Sequence, residues 1–164
     1  MKTDSVIIAI DGRCAAGKTT LAAEFSAKLK ASIIHMDDFF LPKNLRTPER
    51  LEQPGGNIHY ERFAEEVLPF LRGSEPFSHR VFDCSIGDYN GTKKILPTRF
   101  RIIEGSYSHH PIFGEYMDLR IFLDIPPDIQ MRRIEKRNGK EAAKNFKKWI
   151  ALEEKYFMFY FHTD

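Results

Sequence analysis

Residues 5–10 form a short apolar run rich in β-branched side chains, and residues 18–30 repeat apolar positions at helical spacing through Leu21, Phe25 and Leu29. The chain therefore opens with strand, turn and helix. A brief apolar run at residues 31–34 predicts a second strand. Residues 41–57 carry Pro42, Pro48, Pro54, Gly55 and Gly56 among charges and read as a loop. Over residues 60–72 the stripe Tyr60, Phe63, Ala64, Val67, Leu68 and Leu71, with Glu61, Arg62, Glu65 and Glu66 opposite, predicts one amphipathic helix packed on a sheet. Two extended runs, residues 77–83 and 93–96, joined across 88–91 with its Asn90-Gly91 pair, predict a hairpin. Residues 100–105 and 119–125 predict the third and fourth core strands. Pro126-Pro127 closes the last of these, a basic helix over 128–137 follows, and Asn138-Gly139 ends it. A final helix from about Glu141 turns Phe146, Trp149, Ile150 and Phe157 inward, and the aromatic stretch 156–161 reads as core or as a buried strand.

Composition narrows the picture. With 164 residues the chain fits one domain, residues 1–164, with a hairpin insertion at about 77–97 and a lid at about 128–140. Lys plus Arg number 25 against 23 Asp plus Glu, and a net charge of +2 is too balanced for a protein that coats nucleic acid or an anionic membrane. A small anionic ligand is compatible with it. The first strand begins almost at once and no apolar run reaches membrane-spanning length, so a soluble cytoplasmic protein is expected. Cys14 and Cys84 make no metal-ligand pattern and are expected as reduced thiols.

The strongest chemical signal lies between the first strand and the first helix. Residues 12–19 read Gly-Arg-Cys-Ala-Ala-Gly-Lys-Thr, which is the spacing of a phosphate-binding P-loop in its strand-to-helix context. A loop that wraps a polyphosphate must turn main-chain N–H groups inward, and Gly12 and Gly17 remove side chains that would block the anion. Lys18 adds a point charge, the helix start adds its dipole, and the Thr19 hydroxyl suits Mg²⁺. Arg13, Cys14, Ala15, Ala16 and Thr20 complete the expected nucleotide cradle.

Acids at strand ends point the same way, because ligands of open α/β sheets bind outside the carboxyl ends of the strands. Asp37 and Asp38 follow the second strand, and Glu104 closes the third. A carboxylate there suits a general base or a Mg²⁺ site, the alternative for Asp37 and Asp38 being a turn or cap role. His109 and His110 lack the partners of a zinc site and are expected at the surface or against substrate. On a helix Arg133 and Arg137 share one face while Arg132 and Lys136 share another, so only one pair can face a phosphate unless the segment bends, and a merely solvated charged face competes with that role. The hairpin fits equally a flap over an acceptor and a contact between copies of the chain.

Together these landmarks resemble the uridine kinase-like branch of P-loop kinases: residues 12–20, Asp-Asp-Phe-Phe at 37–40, residues 55–63, Ile-Glu-Gly at 103–105, and the arginines from 132 to 137. The resemblance implies a three-layer, doubly wound parallel sheet of five strands with a small hairpin insertion. It also implies ATP or GTP with Mg²⁺ and transfer of the γ-phosphoryl group to a primary hydroxyl, as of uridine, cytidine or a related riboside. By motif match Asp37 is the base and Thr19, Asp37 and Glu104 are metal-shell candidates. Arg132, Arg133 and Arg137 become lid arginines, and Asp38, Phe40, Asn57, His59, Arg80 and Glu104 face the acceptor. His59 stands where relatives often carry a ribose-binding aspartate. The competing class is a degenerate kinase kept as a partner-binding or regulatory module.

Overall fold

The computed structural model describes residues 4–161. In chain order the elements are β1 (Val6–Gly12), α1 (Lys18–Leu29), β2 (Ser32–His35), α2 (Pro48–Glu52), α3 (Tyr60–Glu66), β3 (Phe77–Asp83), β4 (Asp88–Ile95), β5 (Phe100–Glu104), β6 (Leu119–Leu123), α4 (Pro127–Asn138) and α5 (Lys140–Phe161). Four strands form a parallel sheet in the order β2-β5-β1-β6, and β3 and β4 pair separately as an antiparallel hairpin. The near-continuous burial of β1 and β5, the two central strands, follows from cover on both faces. Ile8, Ile10 and Ile102 pack under Ala22 of α1, while Ile7, Ile34 and Ile103 face the layer that holds Phe63 of α3 and Tyr156 and Phe157 of α5. This is the expected three-layer α/β architecture.

Register sets up the site. Ile10 of β1 lies opposite Glu104, and His35 of β2 lies opposite the same residue, so β2 and β5 end level while β1 runs on past them to Gly12. The loop after β1 emerges between β5 and β6, in the middle of the sheet's carboxyl edge.

Four expectations are corrected. Among the described residues the parallel sheet has four strands, not five, because the aromatic stretch 156–161 continues α5 instead of pairing: Tyr156 and Phe157 are buried while Met158 and Phe159 stand in solvent. The helix expected over 60–72 stops at Glu66 and gives way to a 3₁₀ turn at Leu68–Phe70, since Pro69 has no N–H to continue it. The hairpin turns at residues 84–87, and Asn90-Gly91 falls inside β4, near an irregularity between Arg80 and Phe82. His109 and His110 are core side chains, 6 % and 4 % exposed, whose Nε2 atoms lie 3.0 Å from Ala9 O and 3.1 Å from Pro54 O. The polar loop that carries them folds inward under α5.

Candidate active site

At the end of β1 the chain turns with no room for a side chain. Gly12 has φ +140°, and a Cβ there would lie 2.0 Å from Leu123 O on the neighbouring strand. Gly17, with φ +99°, caps α1, whose first-turn N–H groups have no helical partner and point into the loop. Lys18 is buried and folds back, its Nζ donating to Gly12 O at 2.8 Å and Arg13 O at 2.9 Å. Thr19 and Thr20 are exposed at the loop's mouth.

Beside the loop stands the acid of β5. Glu104 is 4 % exposed; Thr19 Oγ1 lies 3.4 Å from each of its carboxyl oxygens, and His35 Nδ1 is hydrogen-bonded to one of them. Asp37 follows β2 in the 3₁₀ turn Met36–Phe39 and keeps an open side toward solvent. Protein mass packed behind it, and then the Glu104 charge, hold its pKa above the ordinary carboxylate value against the pull of Lys18 and His35. Lys18, Thr19, Glu104 and Asp37 therefore share one edge of the sheet. Among the described residues no three His, Cys, Asp or Glu side chains form a metal cage.

Of the three arginines of α4, two reach the loop. Arg133 Nη1 donates to Ala15 O at 3.0 Å, and Arg137 reaches the Cys14 thiol. Arg132 turns away, to Asp128 at 2.9 Å on the exposed face. Within the loop Arg13 is held by Asp124 and Glu154, each at 2.6 Å.

The residues expected toward an acceptor are tied into the hairpin side. Phe40 packs edge-on to Phe82 of the hairpin and lies 6.4 Å from the Trp149 ring. Arg46 lies over both Phe82 and Trp149, at 5.7 and 5.2 Å. His59 bonds Tyr89 OH and stacks on its ring. Arg80 pairs with Glu66 at 2.7 Å instead of reaching free into the crevice. Asn57 is 3 % exposed and donates to Tyr107 OH at 3.1 Å, which makes it a core residue rather than an open contact. Asp38 lies 3.8 Å from the buried His79 imidazole, whose pKa is lowered by burial.

Sequence reasoning misplaced Arg62 and passed over several groups. Arg62, expected on the solvent face of a helix, is 1 % exposed and bonds Glu66, Asp38 O and Arg80 O. Its pairing with Glu66 at i,i+4 was visible in the spacing. Asp11 is fully buried and accepts from the N–H groups of Gly12, Tyr107 and His109 and from Tyr156 OH, binding the end of β1 to α5. Ser106, Glu153 and Glu154 also surround the loop, and no local pattern singled them out.

No family model matches the chain, and no curated protein matches it. Solved structures do. A protein provisionally assigned as a fructose transport system kinase from Silicibacter sp. TM1040 superposes with a TM-score of 0.74 at 22% identity, over 93% of this chain and 84% of its own. A possible uridine kinase from Bacillus stearothermophilus gives 0.65 at 18%, over 92% and 87%. D-glycerate 3-kinase from Cryptococcus neoformans gives 0.64 at 14%, over 92% and 78%. These neighbours are uridine kinase-like P-loop kinases, and the fold of this chain is theirs.

Proposed function

We propose that this chain, which has the P-loop kinase fold, is a small-molecule kinase that transfers the γ-phosphoryl group of ATP or GTP to a primary hydroxyl. One observation carries the reading: the Lys18 ammonium, the Thr19 hydroxyl and two strand-end carboxylates, Glu104 and Asp37, converge beside a glycine loop built to receive an anion. Asp37 is the base, open to solvent on one side and more basic than an ordinary carboxylate, and it takes the proton of the attacking hydroxyl. Lys18, Arg133 and Arg137 neutralise charge on the phosphoryl group as it passes. The hard oxygens of Thr19 and Glu104 would hold Mg²⁺, which would supply neutralisation of phosphate charge. Positioning and electrostatics supply nearly all of the rate in such a transfer.

For the acceptor we place a riboside first. The turn of the hairpin brings Cys84 within electrostatic reach of Asp37 and Arg46, and the Arg46 guanidinium lies over the rings of Phe82 and Trp149, with Phe40 packed against both. Flat aromatic faces near the base suit a planar ring on the substrate better than an open-chain polyol. A coupled ADP-release assay across nucleosides, sugars and glycerate, with and without Mg²⁺, tests the choice. Asp37→Asn should lower turnover by about two or more orders of magnitude while nucleotide affinity stays near normal. Equal turnover removes Asp37 from the chemistry, and nucleotide binding with no acceptor phosphorylated favours a partner-binding module.

A further inference from the structure

The last helix meets the phosphate loop with two successive acids that act differently. Glu154 takes Arg13 Nε at 2.6 Å and Nη2 at 3.1 Å, an ion pair on a partly open surface. Glu153 is 6 % exposed and turns both carboxyl oxygens to Cys14 N, at 3.0 and 3.2 Å, with Ser106 Oγ 2.9 Å from Oε1. It is a buried acid seated on a main-chain N–H of a loop shaped to hold phosphate. A glutamine would staple helix to loop as well, without an ionisable group buried beside the expected charge of a nucleotide.

The groups that face Glu153 come from every neighbouring element. Lys18 from α1 favours its anion, as do the Cys14 N–H and the Ser106 hydroxyl. Asp11 at the end of β1 opposes it, and the Cys14 thiol and the Tyr107 phenol lie within electrostatic reach of it. Burial outweighs these contacts and leaves the carboxyl pushed up to about 7.

We propose that Glu153 is the loop's built-in counter-anion, sitting as a carboxylate where the charge of a nucleotide's phosphates would fall, and that nucleotide enters as Glu153 takes up a proton from solvent. The inference rests on the reading of residues 12–19 as a nucleotide site. Two anions cannot share so small a cradle, and the neutral acid relieves the repulsion while keeping an oxygen on Cys14 N–H. No bond other than the O–H forms, and the proton comes from the buffer.

The test is calorimetric titration of the full chain with the Mg²⁺ complex of a non-hydrolysable ATP analogue, in buffers of different ionisation enthalpy. At pH 8 binding should take up about 0.9 proton, the ionised fraction of an acid of pKa about 7. Glu153→Gln should take up none and bind about tenfold more tightly than the parent at pH 8, with the two alike at pH 6. Should that variant fold poorly, the parent's own series decides, since its affinity must fall with rising pH above 7. Binding with no proton uptake, or equal uptake in Glu153→Gln, assigns the residue to a structural staple and overturns the inference alone. No binding heat at any pH overturns the nucleotide reading and this one with it.

Discussion

The two flanks of the crevice are held in different ways. Around the phosphate loop the main chain does most of the holding: Gly12 leaves no room above Leu123 O, Lys18 turns back onto loop carbonyls, and Asp11 gathers three N–H groups and a phenol. On the hairpin side, side chains hold one another. Arg62 and Arg80 share Glu66, both guanidiniums lie over the Tyr89 ring, and Tyr89 in turn bonds His59. Phosphates are alike in every nucleotide, so a backbone cradle serves one ligand shape; an acceptor pocket assembled from side chains can be altered residue by residue.

The contrast predicts that one flank breaks by shape and the other by charge. Gly12→Ala should produce the largest effect, a stability loss of about 4 kcal/mol or more, because the new methyl group meets a backbone carbonyl and φ +140° strains any L side chain. Urea unfolding measures it, and a loss below about 1 kcal/mol would mean that β1 and β6 part readily. Arg62→Met keeps volume but leaves Glu66, Asp38 O and Arg80 O without that partner, and should lower stability by about 3 kcal/mol.

Acid should next separate the flanks. Burial alone would raise the Glu66 pKa, but hydrogen bonds from Arg62 and from the Arg80 N–H and side chain bring it from 4.5 down to about 2. A depressed carboxylate contributes stability that is whole above pH 4.5 and lost as the pH falls through about 2. Discounted for its 17% exposed side chain, that contribution is about 2 kcal/mol. Unfolding free energy followed from pH 6 to pH 2 should show the loss, and Glu66→Gln should remove that component of the slope. An unchanged slope would remove Glu66 from the hairpin's support.

The same contrast explains what the sequence could tell. β1, the loop and α1 were legible because a strand, two glycines and a helical stripe lie within a few turns of chain, and Asp37 and Glu104 because each ends an apolar run. Arg62 was not, since the stripe placed it opposite the sheet and nothing local shows that the hairpin returns to cover that face. His109 and His110 looked polar and exposed until α5 closed over them. Glu153 and Glu154 sit 139 and 141 residues from the loop atoms they hold, in a helix whose own pattern explains Tyr156 and Phe157 but gives no partner for an acid. Periodicity reports which face is buried; it does not report what a charged residue meets there.

One helix touches both flanks, and the smallest predicted effect examines it. Trp149 and Glu153 are four residues apart, on one face of α5, so a single rigid element lays an indole beside Phe40 and Arg46 and a carboxyl against Cys14. If each contact serves its own flank, then Trp149→Leu, which keeps apolar bulk and helix propensity, should forfeit the contacts of the ring with Arg46, Lys148 and Phe40, about 1 kcal/mol. The acceptor KM should then rise about fivefold with nucleotide affinity unchanged. Equal weakening of both substrates would mean that α5 shifts as a body, in which case the two flanks are one mechanical unit and the division between shape and charge does not extend to function.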